Sequence, residues 1–256
     1  MLPTDTTSPE YIAARNAAMS RVDLRGLDAG DPTGPCGHEY GLRVSTRLTT
    51  DYRTTWRPQS MDVKPAEVMN CLRDAGVQNW CLMGLHGYVG YLPMPRATQD
   101  VDIMVPHNQK RKAVKAISER WPELIKEEFE PVVRFYDPAE VDLNGNKVPV
   151  IDLMLPWGKF QETILKEHVL TDKKTGSRYP TAEAAIVAKY AALISPSRKP
   201  SKRKYDAGDL ESLIRTAHQN YNLAAIQSLA GQVWEGGSDE ILRFIDCALN
   251  EKPFPV

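Results

Sequence analysis

The sequence predicts an α+β fold, a mixed β-sheet flanked by helices and followed by a helical C-terminal portion. Apolar runs of strand length occupy the middle of the chain, at 77–83, 100–105, 132–136 and 148–155. Beyond Thr181 the pattern is helical throughout. Between these regions strands and helices do not alternate regularly, which argues against a parallel βαβ array. The 256 residues divide accordingly into an irregular N-terminal extension (1–60), an α/β domain (61–180) and a helical region (181–256).

Residues 1–60 are rich in Thr, Asp, Gly, Pro and Arg and show no sustained apolar period; Asp28 to Pro35 reads as consecutive turns. Pro65 to Ala75, with Pro early and Gly76 just past the end, is a helix. Val77–Met83 is a buried strand, Gly84 a turn, and Leu85–Leu92 a short helix. Asp100–Val105 is the next strand, and Asn108–Trp121 a basic amphipathic helix with Val114, Ile117 and Trp121 on one face. Val132–Tyr136 and Val148–Leu155 are strands around the Asn144-Gly145 turn, and a second hairpin spans Thr171–Tyr179. Helices follow at 181–194, 205–218, 223–234 and 238–249, the first capped by Thr181 with Glu183 in its opening turn.

Composition narrows the function classes. A hydrophobic content of 42% and a charged content of 25% are those of a globular protein. The net charge of −1 gives no global attraction to nucleic acid or acidic membranes, so any such affinity must be local. Cys36, Cys71, Cys81 and Cys247 form no metal-binding pattern. The N-terminus lacks signal-peptide features and no apolar run spans a bilayer, so a cytoplasmic protein with no membrane partner is expected.

The chemistry concentrates after Gly84. In Arg96-Ala97-Thr98-Gln99-Asp100-Val101-Asp102-Ile103-Met104-Val105, a strand that buries Val101, Ile103 and Val105 puts Asp100 and Asp102 on its other face. Their Cα atoms are then roughly 7 Å apart, so the carboxylates can converge on one metal ion. A third acid, Asp152, is the single charge within the apolar strand 148–155, and unpaired it would cost on the order of several kcal/mol. If the two strands are adjacent, three carboxylates meet. That arrangement suits two-metal phosphoryl or nucleotidyl transfer, with Mg²⁺ or Mn²⁺ held by Asp100, Asp102 and Asp152 and the last of these near the incoming hydroxyl.

The pattern of strand, glycine turn, short helix and Arg-x-Thr-x-Asp-x-Asp resembles the signature of the DNA polymerase β-like nucleotidyltransferase superfamily, and more narrowly the AbiEii-type abortive-infection toxins. The resemblance covers roughly 68–214 and maps onto Gly84, Arg96, Thr98, Asp100, Asp102, Asp152, Lys189, Asp206 and Asp209. It implies a nucleotidyltransferase-like sheet, catalytic roles for Asp100, Asp102, Asp152 and Lys189, and nucleotide binding by Gly84, Arg96 and Thr98. It further implies an NTP substrate, an acceptor that is RNA (a tRNA end) or a small molecule such as an aminoglycoside, and a cognate antitoxin. Met83-Gly84 departs from the usual Gly-Gly or Gly-Ser, and this keeps a second reading in view, a catalytically silent nucleotide- or protein-binding module of the same fold. A metal–nucleotide-sugar glycosyltransferase is a third.

Several residues carry two readings. Lys189, in a small, apolar helix, snorkels to water or points at phosphate. Arg96 clamps a phosphate or pairs with a carboxylate. Asp206 and Asp209 cap the first turn of a helix or join the site. The basic run Pro196–Lys204 is a solvated loop or an RNA-backbone contact. His86 and His107 have no second ligand at metal spacing and read as structural.

Overall fold

The computed structural model describes residues 8–10, 12–13, 35–142, 145–217 and 220–255. A five-stranded sheet organises the fold. Its strands are β1 (Cys81–Leu82), β2 (Val101–Met104), β3 (Ile125–Glu128), β4 (Val132–Val141) and β5 (Lys147–Met154), in the spatial order β1-β2-β5-β4-β3. The β2–β5 pair is parallel and the other three pairs are antiparallel, which makes the sheet mixed as the sequence predicts. A two-stranded hairpin, β6 (Val169–Thr171) with β7 (Arg178–Pro180), falls where the second hairpin is expected. In the first hairpin, Asn144 lies outside the described residues.

Alternation sorts the faces. Val101 and Ile103 on β2, Ile151 and Leu153 on β5, and Val133 and Phe135 on β4 are buried together on one side. Two helices cover that side, α2 (Pro65–Asp74) through Val68 and Leu72, and α4 (Lys110–Arg120) through Ala113 and Ile117. Gly76 ends the α2 segment at φ +67°, the conformation its glycine allows.

The opposite side meets the C-terminal helices: α5 (Lys159–Glu167), α6 (Ala182–Ile194), α7 (Pro200–Ala217), α8 (Leu223–Ala230) and α9 (Gly237–Leu249). They enclose a second core around Tyr190, Leu213, Ile226 and Phe244. Thr181 accepts the Ala184 N–H and so caps α6 as its sequence suggests. No helix among the described residues is long and apolar enough to cross a membrane.

The structure corrects several expectations. Residues 35–56, taken from the sequence as part of an irregular extension, form a 22-residue helix, α1 (Pro35–Trp56). Its buried positions include His38, Ser45, Thr49 and Arg53, polar side chains that leave no apolar period to detect. The 77–83 strand is reduced to two residues, and 85–92 divides into α3 (Gly84–Tyr88) and a 3₁₀ turn at Val89–Tyr91. Strand β3 and helix α5 were not anticipated, and α7 begins at Pro200 rather than Tyr205.

Helix α1 crosses the 3₁₀ turn at Gly90, where an added Cβ would stand 2.6 Å from His38 Cα and 2.7 Å from its backbone nitrogen. Because both neighbours are backbone, Gly90→Ala is expected to lower the stability of the full-length protein by about 1–3 kcal/mol, read from the urea midpoint.

Candidate active site

Register builds the centre of the site. Asp102 on β2 pairs directly with Asp152 on β5, and Asp152 pairs in turn with Arg134 on β4. All three residues therefore share one face of the sheet. Asp100 stands just before β2 on that face, and one carboxylate oxygen from each of Asp100, Asp102 and Asp152 lies within 4.8 Å of the other two. Among the described residues this is the one group of three or more His, Cys, Asp or Glu side chains arranged to hold a metal ion. The convergence expected from the sequence is present.

Bringing three partly buried acids together opposes their ionisation. Burial, then the charges of Asp100 and Asp152, raise the Asp102 carboxyl well above its ordinary range. Burial and Asp100 push Asp152 from 3.8 up to about 6, although Arg134 pulls the other way with its Nε 3.4 Å from Asp152 Oδ2. Asp152 Oδ1 is buried with no hydrogen-bond partner. Thr98 donates its hydroxyl to Asp100 Oδ1 at 3.2 Å, so this residue orients a carboxylate.

Gly84 closes the site from the α3 side. It sits at φ +53°, and a Cβ on it would fall inside the Asp102 carboxylate. The glycine is thus required twice, by its backbone conformation and by the close approach of Asp102.

Lys189 on α6 does not reach for open solvent. Its Nζ lies 2.8 Å from Asp206 Oδ1 and 2.9 Å from Asp209 Oδ2, both on α7, and 4.9 Å from the centre of the Tyr88 ring. Burial acts against its charge, but Tyr88, Asp209 and Asp206 hold it above the ordinary lysine range. Arg198 donates Nε to Asp206 Oδ2 at 2.6 Å, and Arg96 donates Nη2 to Asp209 at 2.9 Å. Tyr88 donates its hydroxyl to Asp209 Oδ2 at 2.6 Å. Arg96 therefore takes the carboxylate-pairing role of its two readings. Asp206 and Asp209 lie well inside α7 and serve as buried counterions, which overturns the first-turn capping role.

This cationic layer faces the acids. Lys189 and Arg198 each favour the ionised form of Asp102, and Lys202 on α7 does so for Asp152. Arg134 and Tyr88 were missed by sequence reasoning, and Lys202 was seen only as part of the basic run Pro196–Lys204. Arg134 carried a usable signal, being the lone charge in the run Val132-Val133-Arg134-Phe135, the same signal that marked Asp152.

The histidines stand apart. His86 is buried beside the site and burial lowers its pKa to about 3, so its ring is neutral. His107 Nε2 lies 2.8 Å from the Pro156 carbonyl oxygen. Neither belongs to the acidic cluster.

No protein-family model matches the chain, and no curated protein does. Among solved structures it is similar to an antigenic nucleotidyltransferase-like protein from Paracoccidioides brasiliensis, at 14% identity over 73% of this chain and 90% of that one, with a TM-score of 0.42. Terminal uridylyl transferase 4 from Trypanosoma brucei with bound CTP is 12% identical over 70% of this chain and 58% of that one, with a TM-score of 0.30. The same transferase with bound GTP is 12% identical over 72% of this chain and 74% of that one, with a TM-score of 0.27. At such distances the geometry of the site itself has to carry the function.

Two outcomes follow from that geometry. Gly84→Ala should weaken divalent-cation binding at least tenfold in a Mn²⁺ titration, because its Cβ displaces Asp102. The acids also set a pH window. A carboxyl whose folded pKa is raised favours the fold when protonated, so the metal-free protein loses stability as pH rises from 3.8 through about 6. Added Mg²⁺ should accordingly raise the melting temperature by several degrees at pH 7.5 and hardly at all at pH 5, as followed by scanning fluorimetry.

Proposed function

We propose that the protein is a metal-dependent nucleotidyltransferase that moves a nucleoside monophosphate from an NTP to a hydroxyl acceptor. The observation that carries this is the convergence of Asp100, Asp102 and Asp152 beside Gly84, opposite a layer of cations. The donor set suits Mg²⁺ or Mn²⁺, since it consists of hard carboxylate oxygens and includes the orphaned Asp152 Oδ1. When bound, the metal supplies charge neutralisation at the α-phosphate and the departing pyrophosphate.

The chain's own residues divide the remaining work. Asp152, the third carboxylate of the cluster, takes the proton from the acceptor hydroxyl as the new P–O bond forms and the bond to pyrophosphate breaks. Asp100 and Asp102 hold the metal, with Thr98 fixing the angle of Asp100. Lys189, kept charged by its two aspartates, supplies a fixed positive potential toward the β- and γ-phosphates, and Arg198, anchored on Asp206, adds to it. Gly84 leaves the room that the Asp102 carboxylate needs against the backbone.

For the acceptor we favour RNA, a tRNA end by resemblance, over a small molecule. Lys199, Lys202 and Lys204 are exposed around the start of α7, with Lys202 near enough to act on Asp152, where they can follow a phosphate backbone. The likeness of the Arg-x-Thr-x-Asp-x-Asp motif to AbiEii-type proteins extends the proposal to a toxin held in check by a cognate antitoxin.

The protein incubated with Mg²⁺, α-labelled NTPs and total RNA should transfer label to RNA. Asp102→Asn should abolish transfer, and label transfer unchanged by that substitution would overturn the reading. Replacing Lys199, Lys202 and Lys204 together by Ala should weaken RNA binding at least tenfold at 100 mM salt and flatten its salt dependence, measured by fluorescence anisotropy. Equal RNA binding by the triple variant would redirect the search to small acceptors.

A further inference from the structure

The segment 93–100 carries Arg96, Thr98 and Asp100 but belongs to no strand or helix, so its backbone groups need partners from elsewhere. They find them on α1. Ser45 donates its hydroxyl to the Arg96 carbonyl at 2.6 Å. Thr49 Oγ1 accepts the Thr98 N–H at 3.2 Å, and its own proton is already committed to the Ser45 carbonyl at 2.9 Å. Arg53 donates one guanidinium nitrogen to the Gln99 carbonyl and the other to the Met61 carbonyl. These three residues are four apart, on one helical face, and all are buried. Each bonds the backbone of the loop at or next to a residue whose side chain enters the site.

We propose that Ser45, Thr49 and Arg53 are positioning residues, a rigid splint along α1 that aims Arg96, Thr98 and Asp100 at the reaction centre. This rests on the metal-site reading above. The physical case is one of precision. A carboxylate serves a metal only when held to within about 0.5 Å, and a loop with free backbone groups does not hold it. Thr98 passes the constraint on directly, since its amide is held by Thr49 and its hydroxyl holds Asp100. Arg96 passes it on in a second direction, its carbonyl held by Ser45 and its guanidinium reaching Asp209. The splint thus links the acids of the sheet with the counterions of α7 through one short loop.

The test uses the full-length protein. Thr49→Val keeps the side-chain shape and removes the acceptor, Thr49→Ser keeps the acceptor, and Ser45→Ala removes the second bond without adding bulk. Two quantities are read: amide hydrogen exchange of the peptide spanning 94–101, by mass spectrometry, and Mn²⁺ affinity, from the free-ion resonance signal. Thr49→Val and Ser45→Ala should each speed exchange in that peptide at least fivefold and weaken Mn²⁺ binding at least threefold, while exchange in α9 is unaltered. Thr49→Ser should stay within twofold of the wild type in both. Wild-type exchange and affinity in folded Thr49→Val and Ser45→Ala would overturn the splint, as would faster exchange with unchanged affinity. If the wild type itself takes up no Mn²⁺, the metal reading falls and the exchange rate alone decides whether α1 holds the loop.

Discussion

Repulsion among Asp100, Asp102 and Asp152 is the constraint around which this protein is arranged. Strand register forces Asp102 and Asp152 side by side, and neither can turn away without leaving the face it shares with its partner. Burial removes most of the water that would screen them. The fold answers with positive charge at several distances: Arg134 at 3.4 Å from Asp152, then Lys189, Arg198 and Lys202 farther out. Those cations do not neutralise the acids fully, because both Asp102 and Asp152 remain raised. What is left is an electrostatic deficit that a divalent cation fits.

The cations pose a problem of their own, which Asp206 and Asp209 resolve. A lysine as buried as Lys189 would otherwise tend to lose its proton. Two carboxylates on α7 keep it charged and fix its position, and the same two acids anchor Arg198 and Arg96. Burial disfavours the charge on Asp206, but Arg198 and Lys189 outweigh that and hold its carboxyl below the ordinary range. The site is therefore layered, with acids on the sheet, cations above them and acids again behind. Each layer offsets part of the charge of the one beside it.

Much of this could be read from the sequence, and the exceptions have physical causes. The Asp-x-Asp strand, the lone acid of β5 and the C-terminal helices announce themselves through periodicity, because their apolar residues face a core. Helix α1 does not. Its inner face carries His38, Ser45, Thr49 and Arg53, chosen to bond backbone rather than to exclude water, and a hydrophobic period does not detect such a face. Strand β1 was overestimated because Val77 and Trp80 are buried without joining the ladder. The roles of Asp206 and Asp209 depended on where α7 starts, and it starts at Pro200, five residues before the Tyr205 that the sequence suggests.

The sheet also has two borders, β1 and β3, where unpaired backbone could recruit a foreign strand. One border is only two residues long, and Arg178 from the β6–β7 hairpin occupies the Trp80 carbonyl just outside it. The other bears Lys126, Glu127 and Glu128 in succession, with Lys110 and Lys147 paired to its acids. A brief, sealed margin on one side and a charged one on the other give this sheet little propensity to polymerise edge to edge.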